Sequence, residues 1–128
     1  MKDSRGFIVF WLANSAIFYF APFVFGQLVV SGNARLAPFM ASVVSGFLVT
    51  IADALTLPLF ERLGIELRDE WQWTLAYLFV NVLSIWVIAR YADLTGVGIQ
   101  NAWVAVLLGV IFNVVQWIMW RTVFPKRK

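Results

Sequence analysis

Four stretches of this 128-residue chain carry almost no charge, and each is long enough to cross a bilayer. Phe7–Val30 has no charge, and Leu36–Phe60 has one, Asp53. Trp71–Ala89 and Gly96–Trp120 have none. At a helical rise of about 1.5 Å per residue these runs cover about 28–38 Å, against a hydrocarbon core of roughly 30 Å. A membrane barrel needs at least about eight strands of alternating polarity, and these runs do not alternate. Composition points the same way: 62% of residues are hydrophobic and 13% charged. Ordinary soluble domains have roughly 45–50% and 25%, and one of this size cannot bury so much apolar surface away from water.

The expected fold is therefore an all-α integral membrane domain over residues 1–128, with transmembrane spans at about 7–30, 36–60, 71–91 and 97–120. Lys2 and Arg5 precede the first apolar run as they would in a secretory signal. Its length exceeds the usual h-region, however, and no small-x-small cleavage site stands clearly after it, so a retained helix is expected. With four spans, both termini and the 61–70 connector share one side. That side carries Lys2, Arg5, Arg62, Arg68, Arg121, Lys126, Arg127 and Lys128, and the other only Arg35 and Arg90. The imbalance predicts a multi-pass protein of the cytoplasmic (inner) membrane with both termini cytoplasmic. Trp71, Trp73, Trp117 and Trp120 fall at the cytoplasmic interface and Trp103 near the opposite one, as an aromatic belt would. Ser31–Arg35 and Asp93–Gly98 read as tight turns closing two helical hairpins. Glu61–Glu70 reads either as a short amphipathic surface segment or as a polar loop.

The hairpins, 7–60 and 71–120, look like copies. Asn14 lies seven residues into the first span, and Asn81 lies seven beyond Thr74 in the third. Asn33-Ala34 and Asn101-Ala102 follow the two turns, while Asp53 and Asn113 each stand seven residues before the end of their span. Both copies have the same orientation, which implies a pseudo-two-fold axis along the membrane normal. This arithmetic predicts a polar layer of Asn14, Asp53, Asn81 and Asn113, one side chain from each helix, facing the interior. One role for such a layer is interhelical hydrogen bonding, at about 0.6–2 kcal/mol per bond. The other is a proton or cation site at Asp53, since ionisable groups within spans often mark translocation paths.

Ser42, Ser45 and Gly46, with Ala37, Ala41 and Ala52, give the second span small side chains suited to close helix contact. Pro22 and Pro58 are candidate kinks. Phe18, Tyr19, Phe20, Phe23 and Phe25 form an aromatic cluster more suited to lipid packing than to a ligand cage. Arg121, Lys126, Arg127 and Lys128 are candidate contacts for anionic lipid headgroups, and so short a tail is a poor nucleic-acid ligand. The chain has no Cys and no His, which removes thiolate and imidazole metal sites, Cys nucleophiles and the usual general base. No cofactor is expected and no catalytic residue is assigned.

An early Asn14, a Gly-Asn turn and a second helix ending in Asp53-Ala54-Leu55-Thr56-Leu57-Pro58 are joined to a second half reading Asn81-Val82-Leu83, Gly96-Val97-Gly98-Ile99 and Trp103-Val104-Ala105. This pattern, over residues 12 to 120, resembles the bacterial small membrane proteins of the phage holin family 4 superfamily. That family usually has Asn five residues before the proline of the second helix, where this chain has Asp53. The resemblance implies no catalytic residue and no cofactor. It leaves two expectations of different class. One is a non-enzymatic, structural or envelope-associated membrane protein, holin-like, working alone, as a homo-oligomer or as an accessory subunit of a larger complex. The other is a small oligomeric ion or proton channel or transporter using Asp53.

Overall fold

The computed structural model describes residues 4–32 and 36–122. Four long helices dominate it: α1 (Ser4–Phe25), α2 (Pro38–Leu63), α3 (Glu70–Arg90) and α5 (Ala102–Thr122). All four are long and apolar enough to cross a membrane. One further helical turn, α4 (Ala92–Thr95), and two short strands, β1 (Val29–Ser31) and β2 (Val97–Ile99), join them on one face of the bundle. We call this the ribbon face, and the opposite one the connector face. The polarity of the molecule is reversed relative to a soluble domain. Leu12, Phe23, Val24 and Phe79 are exposed, whereas Asn14, Thr50 and Asn81 are fully buried. A lipid solvent makes that distribution favourable.

Local signals set the helix ends. Pro38 begins α2 at its first position, behind an extended Ala37, where a missing N–H costs nothing. Gly64 ends α2 in the left-handed region at φ 77°. Its N–H donates to the Glu61 carbonyl (3.3 Å) and the Ile65 N–H to that of Phe60 (2.9 Å), a Schellman pairing that satisfies two of the last carbonyls. A capping box between Asp69 and Gln72 starts α3, with Gln72 Oε1 accepting from the backbone N–H groups of Arg68 and Asp69. The 61–70 connector is thus the end of α2, a non-helical segment, and the first residue of α3. No amphipathic helix forms there. Both α1 and α2 run on across their prolines.

The ribbon departs from the sequence expectation, which carries the first span helically to Val30 and begins the fourth at 97. Instead α1 stops at Phe25, since Gly26 takes a positive φ of 63°, and a single 3-10 turn leads into β1. β1 and β2 pair antiparallel, with Val29 opposite Ile99, Val30 opposite Gly98 and Ser31 opposite Val97. The ladder extends at both ends through Gln100 N–H to Leu28 C=O (3.0 Å) and Gly32 N–H to Gly96 C=O (2.6 Å). Val29 and Val97, on the same ribbon face, are buried and Val30 is exposed, so the ribbon closes that end of the bundle.

Helix α1 packs most closely on α2, α3 on α5, and α2 on α3. Glycine permits a close approach within two of these helix pairs. A Cβ built on Gly46 would lie 2.6 Å from the Ser15 backbone nitrogen, and one on Gly109 would lie 3.2 Å from the Val82 Cα. These are small-residue contacts of the kind that let membrane helices gain van der Waals energy where no hydrophobic force separates protein from lipid. The apolar core lies on the ribbon side of the buried amides, around Phe18 and Phe112 (ring centroids 5.0 Å apart) with Ile85, Leu108 and Val49. Of the aromatic cluster, Phe18 is therefore core, whereas Tyr19 meets Phe20 and Phe23 edge-to-face at the exposed surface.

Candidate functional site

Asn14 on α1 and Asn81 on α3 lie ten and eleven residues from the starts of their helices, about 15 Å along each axis. From α2, Thr50 and Asp53 reach the same level, and Gln116 comes from α5. These five side chains form one hydrogen-bonded layer. Asn81 Nδ2 donates to Gln116 Oε1 (3.0 Å), and Gln116 Nε2 donates to Asn14 Oδ1 (3.1 Å) and Asp53 Oδ2 (3.0 Å). Asn14 Nδ2 then donates to Thr50 Oγ1 (2.8 Å), whose hydroxyl donates to the Gly46 carbonyl (2.7 Å).

The direction of this chain is fixed from one end. Thr50 spends its only proton on Gly46, so Asn14 must turn its nitrogen to Thr50 and its oxygen to Gln116. Gln116 must then present its nitrogen to Asn14 and its oxygen to α3, and Asn81 must answer with its nitrogen. With Thr50 donating to Gly46, no single amide can be reversed without opposing two acceptors. The bonds join all four long helices.

Three of the four residues expected in the layer, Asn14, Asp53 and Asn81, thus meet, but through Gln116. Asn113 is not among them. It is half-buried, and its Nδ2 reaches the Thr74 carbonyl of α3 at 3.4 Å. Counting from the helix end selects Asn113, but the depth of α5 is set by Gly109 against Val82. Seven residues beyond Gly109 stands Gln116, just as Asp53 stands seven beyond Gly46. That glycine spacing was the available signal for Gln116.

Closer to the ribbon, α2 buries further hydroxyls. Ser42 Oγ donates to the Pro38 carbonyl and Ser45 Oγ to that of Thr95. Thr95 Oγ1 bonds the Ile88 carbonyl at 2.8 Å. These protons end on backbone carbonyls, so they tie loop to helix and do not relay charge.

At the connector face Arg121 pairs with Glu70 (2.9 Å) and lies 4.6 Å from the Trp117 ring centroid. A candidate headgroup contact by sequence, it makes an exposed ion pair of about 0–1 kcal/mol. Lys126, Arg127 and Lys128 lie outside the described residues. Among the described residues no cluster of three His, Cys, Asp or Glu side chains could hold a metal ion.

These features define a multi-pass helical membrane protein with a hydrogen-bonded interior layer. Comparison with protein-family models, curated proteins and solved structures gave no match.

Proposed function

We propose that the chain is a small non-enzymatic membrane protein whose four spans form a sealed unit with a structural or envelope-associated role, alone or as a subunit of a larger membrane complex. The observation that carries this is the closure of the hydrogen-bonded layer within one copy, with the Phe18–Phe112 pair filling the interior beside it. Such an interior suits a scaffold better than a pore lined by a single copy. Substitution at Asp53 tests it. Asp53→Asn keeps the acceptor facing Gln116 and should fold as well as the parent. Asp53→Leu removes that acceptor and should cost about 1–3 kcal/mol, read as a lower Tm in mild detergent. Equal stability of the two variants would overturn the structural role of the layer.

The same proposal takes the hairpins as tandem copies about a pseudo-two-fold axis along the membrane normal. Several features support it. Asn14-Ser15 against Gly46 matches Asn81-Val82 against Gly109, and Thr50 and Asp53 correspond to Asn113 and Gln116. An antiparallel strand pair has its own local two-fold, here at Val30 and Gly98.

Placement in the cytoplasmic membrane with both termini inside rests on the basic-residue imbalance. Single cysteines at Ser4, Asn33, Arg68, Asp93 and Arg127 should react with an impermeant thiol reagent in intact cells only at 33 and 93. Labelling at 4 or 127 would reverse the topology. The resemblance to holins is taken as one of architecture. Induction in a bacterial host should slow growth without abrupt, timed lysis, followed by turbidity and dye entry.

A further inference from the structure

Three buried side-chain atoms among the described residues have no hydrogen-bond partner: Ser15 Oγ, Asp53 Oδ1 and Asn81 Oδ1. Ser15 carries a hydroxyl that rotates and can donate or accept. The other two are oxygens whose orientation the layer dictates. Asn81 must give its nitrogen to Gln116, which leaves its oxygen without a donor, and Gln116 has one proton for Asp53, which reaches Oδ2 alone. The layer therefore holds a surplus of acceptors, and both surplus atoms belong to side chains bonded to the same Gln116 amide.

Charge adds to this. Asp53 is 5% exposed and accepts one hydrogen bond, and among the described residues the ion pair is the distant Arg121 with Glu70. The layer around it is neutral: Gln116 from α5 bonds it directly, and the same amide joins it to Asn14 from α1 and Asn81 from α3. Tyr77 on α3 is a titratable side chain within Coulombic reach, and it brings no positive charge. A carboxylate so placed is costly unless paired. A water molecule donating to Asp53 Oδ1 would leave the negative charge uncompensated.

We propose that Asp53 Oδ1 and Asn81 Oδ1 form a binding site for one small cation, a proton or an alkali-metal ion, taken up from solution. Asp53 supplies the compensating charge and Asn81 a neutral oxygen. The site does not depend on the scaffold role, because a sealed unit and a transporter could each hold such an ion.

The test is thermal unfolding of the full chain in mild detergent, for the parent and Asp53→Asn. Choline, sodium and potassium chloride are compared at mildly acidic and mildly alkaline pH. A ligand that binds only the folded state raises Tm by mass action. The parent should gain several degrees on acidification in choline if the ion is a proton, or on replacing choline by sodium or potassium at alkaline pH if it is a metal. Asp53→Asn should lose that gain. An identical response of both proteins, or none from the parent, overturns the site. Infrared spectra of the parent give a second measure that needs no variant. They should contain either the C=O band of a buried protonated carboxyl or a carboxylate band that moves when sodium replaces choline. Finding neither also overturns it.

Discussion

Replacing Gln116 by leucine is expected to be the most damaging change in the polar interior. The side chain makes three hydrogen bonds, to Asn81, Asn14 and Asp53, so its loss strands groups on α1, α2 and α3 together. At about 0.6–2 kcal/mol for a hydrogen bond between membrane helices, the expected destabilisation is about 2–6 kcal/mol. Gln116→Glu separates shape from donation. It keeps the volume and the oxygen facing Asn81, but it removes the nitrogen that serves Asn14 and Asp53 and places a second acid beside Asp53. It should approach the leucine variant in severity when unfolding is followed by tryptophan fluorescence in detergent. If Gln116→Glu behaves like the parent, the donor chain through Gln116 does not hold the helices.

The second large effect is expected at Gly46. There a new side chain would strike the Ser15 Oγ and also the Ser15 backbone nitrogen and Cα, at 2.6 and 2.8 Å, so a rotamer change at Ser15 cannot make room. Gly46→Leu must push α1 off α2, at about 3 kcal/mol or more, the upper part of the range for overpacking. It should also break the Asn14–Thr50 bond one turn away. Gly109→Ala should be milder, since one of the atoms it meets is the tip of the Val82 side chain. Gly98→Ala is the control: its nearest neighbour would be the Ala92 Cβ at 3.8 Å. The comparison can be made by the same fluorescence assay. Parent-like stability of Gly46→Leu would show that α1 and α2 do not pack through Gly46.

Much of the architecture was legible in the uncharged runs, because span length and the cost of charge in lipid leave few alternatives. The ribbon was not. Val29-Val30 and Val97-Gly98-Ile99 are as apolar as the helices beside them, and hydropathy cannot tell the end of a span from a buried strand. What separates them is Gly26 and Gly96, at φ 63° and 81°, and the value of those turns depends on pairing with a segment distant in sequence. In the polar layer, Asn14, Asp53 and Asn81 stood out as rare polar groups within spans. Gln116 did not, because it lies near the end of its span, where a glutamine reads as an interfacial residue. Thr50 was hidden for another reason, since a threonine within a membrane helix usually bonds its own backbone, as this one also does.

The ribbon has a consequence for how the chain is made. Its two strands are separated by α2 and α3, so β1 emerges with the first hairpin and has no partner until β2 has been synthesised. In that interval it presents an unpaired strand edge at the membrane surface, the kind of edge that invites pairing with another chain. Two nascent copies held side by side could each supply the other's missing strand and exchange hairpins. Closure of the ribbon within one copy is thus a race between its own second hairpin and a neighbour's, won more often when expression is slow. Strong overexpression should enrich hairpin-exchanged dimers that keep the helix content of a single copy and differ in which copy supplies β2 to the ribbon and Gln116 to the polar layer.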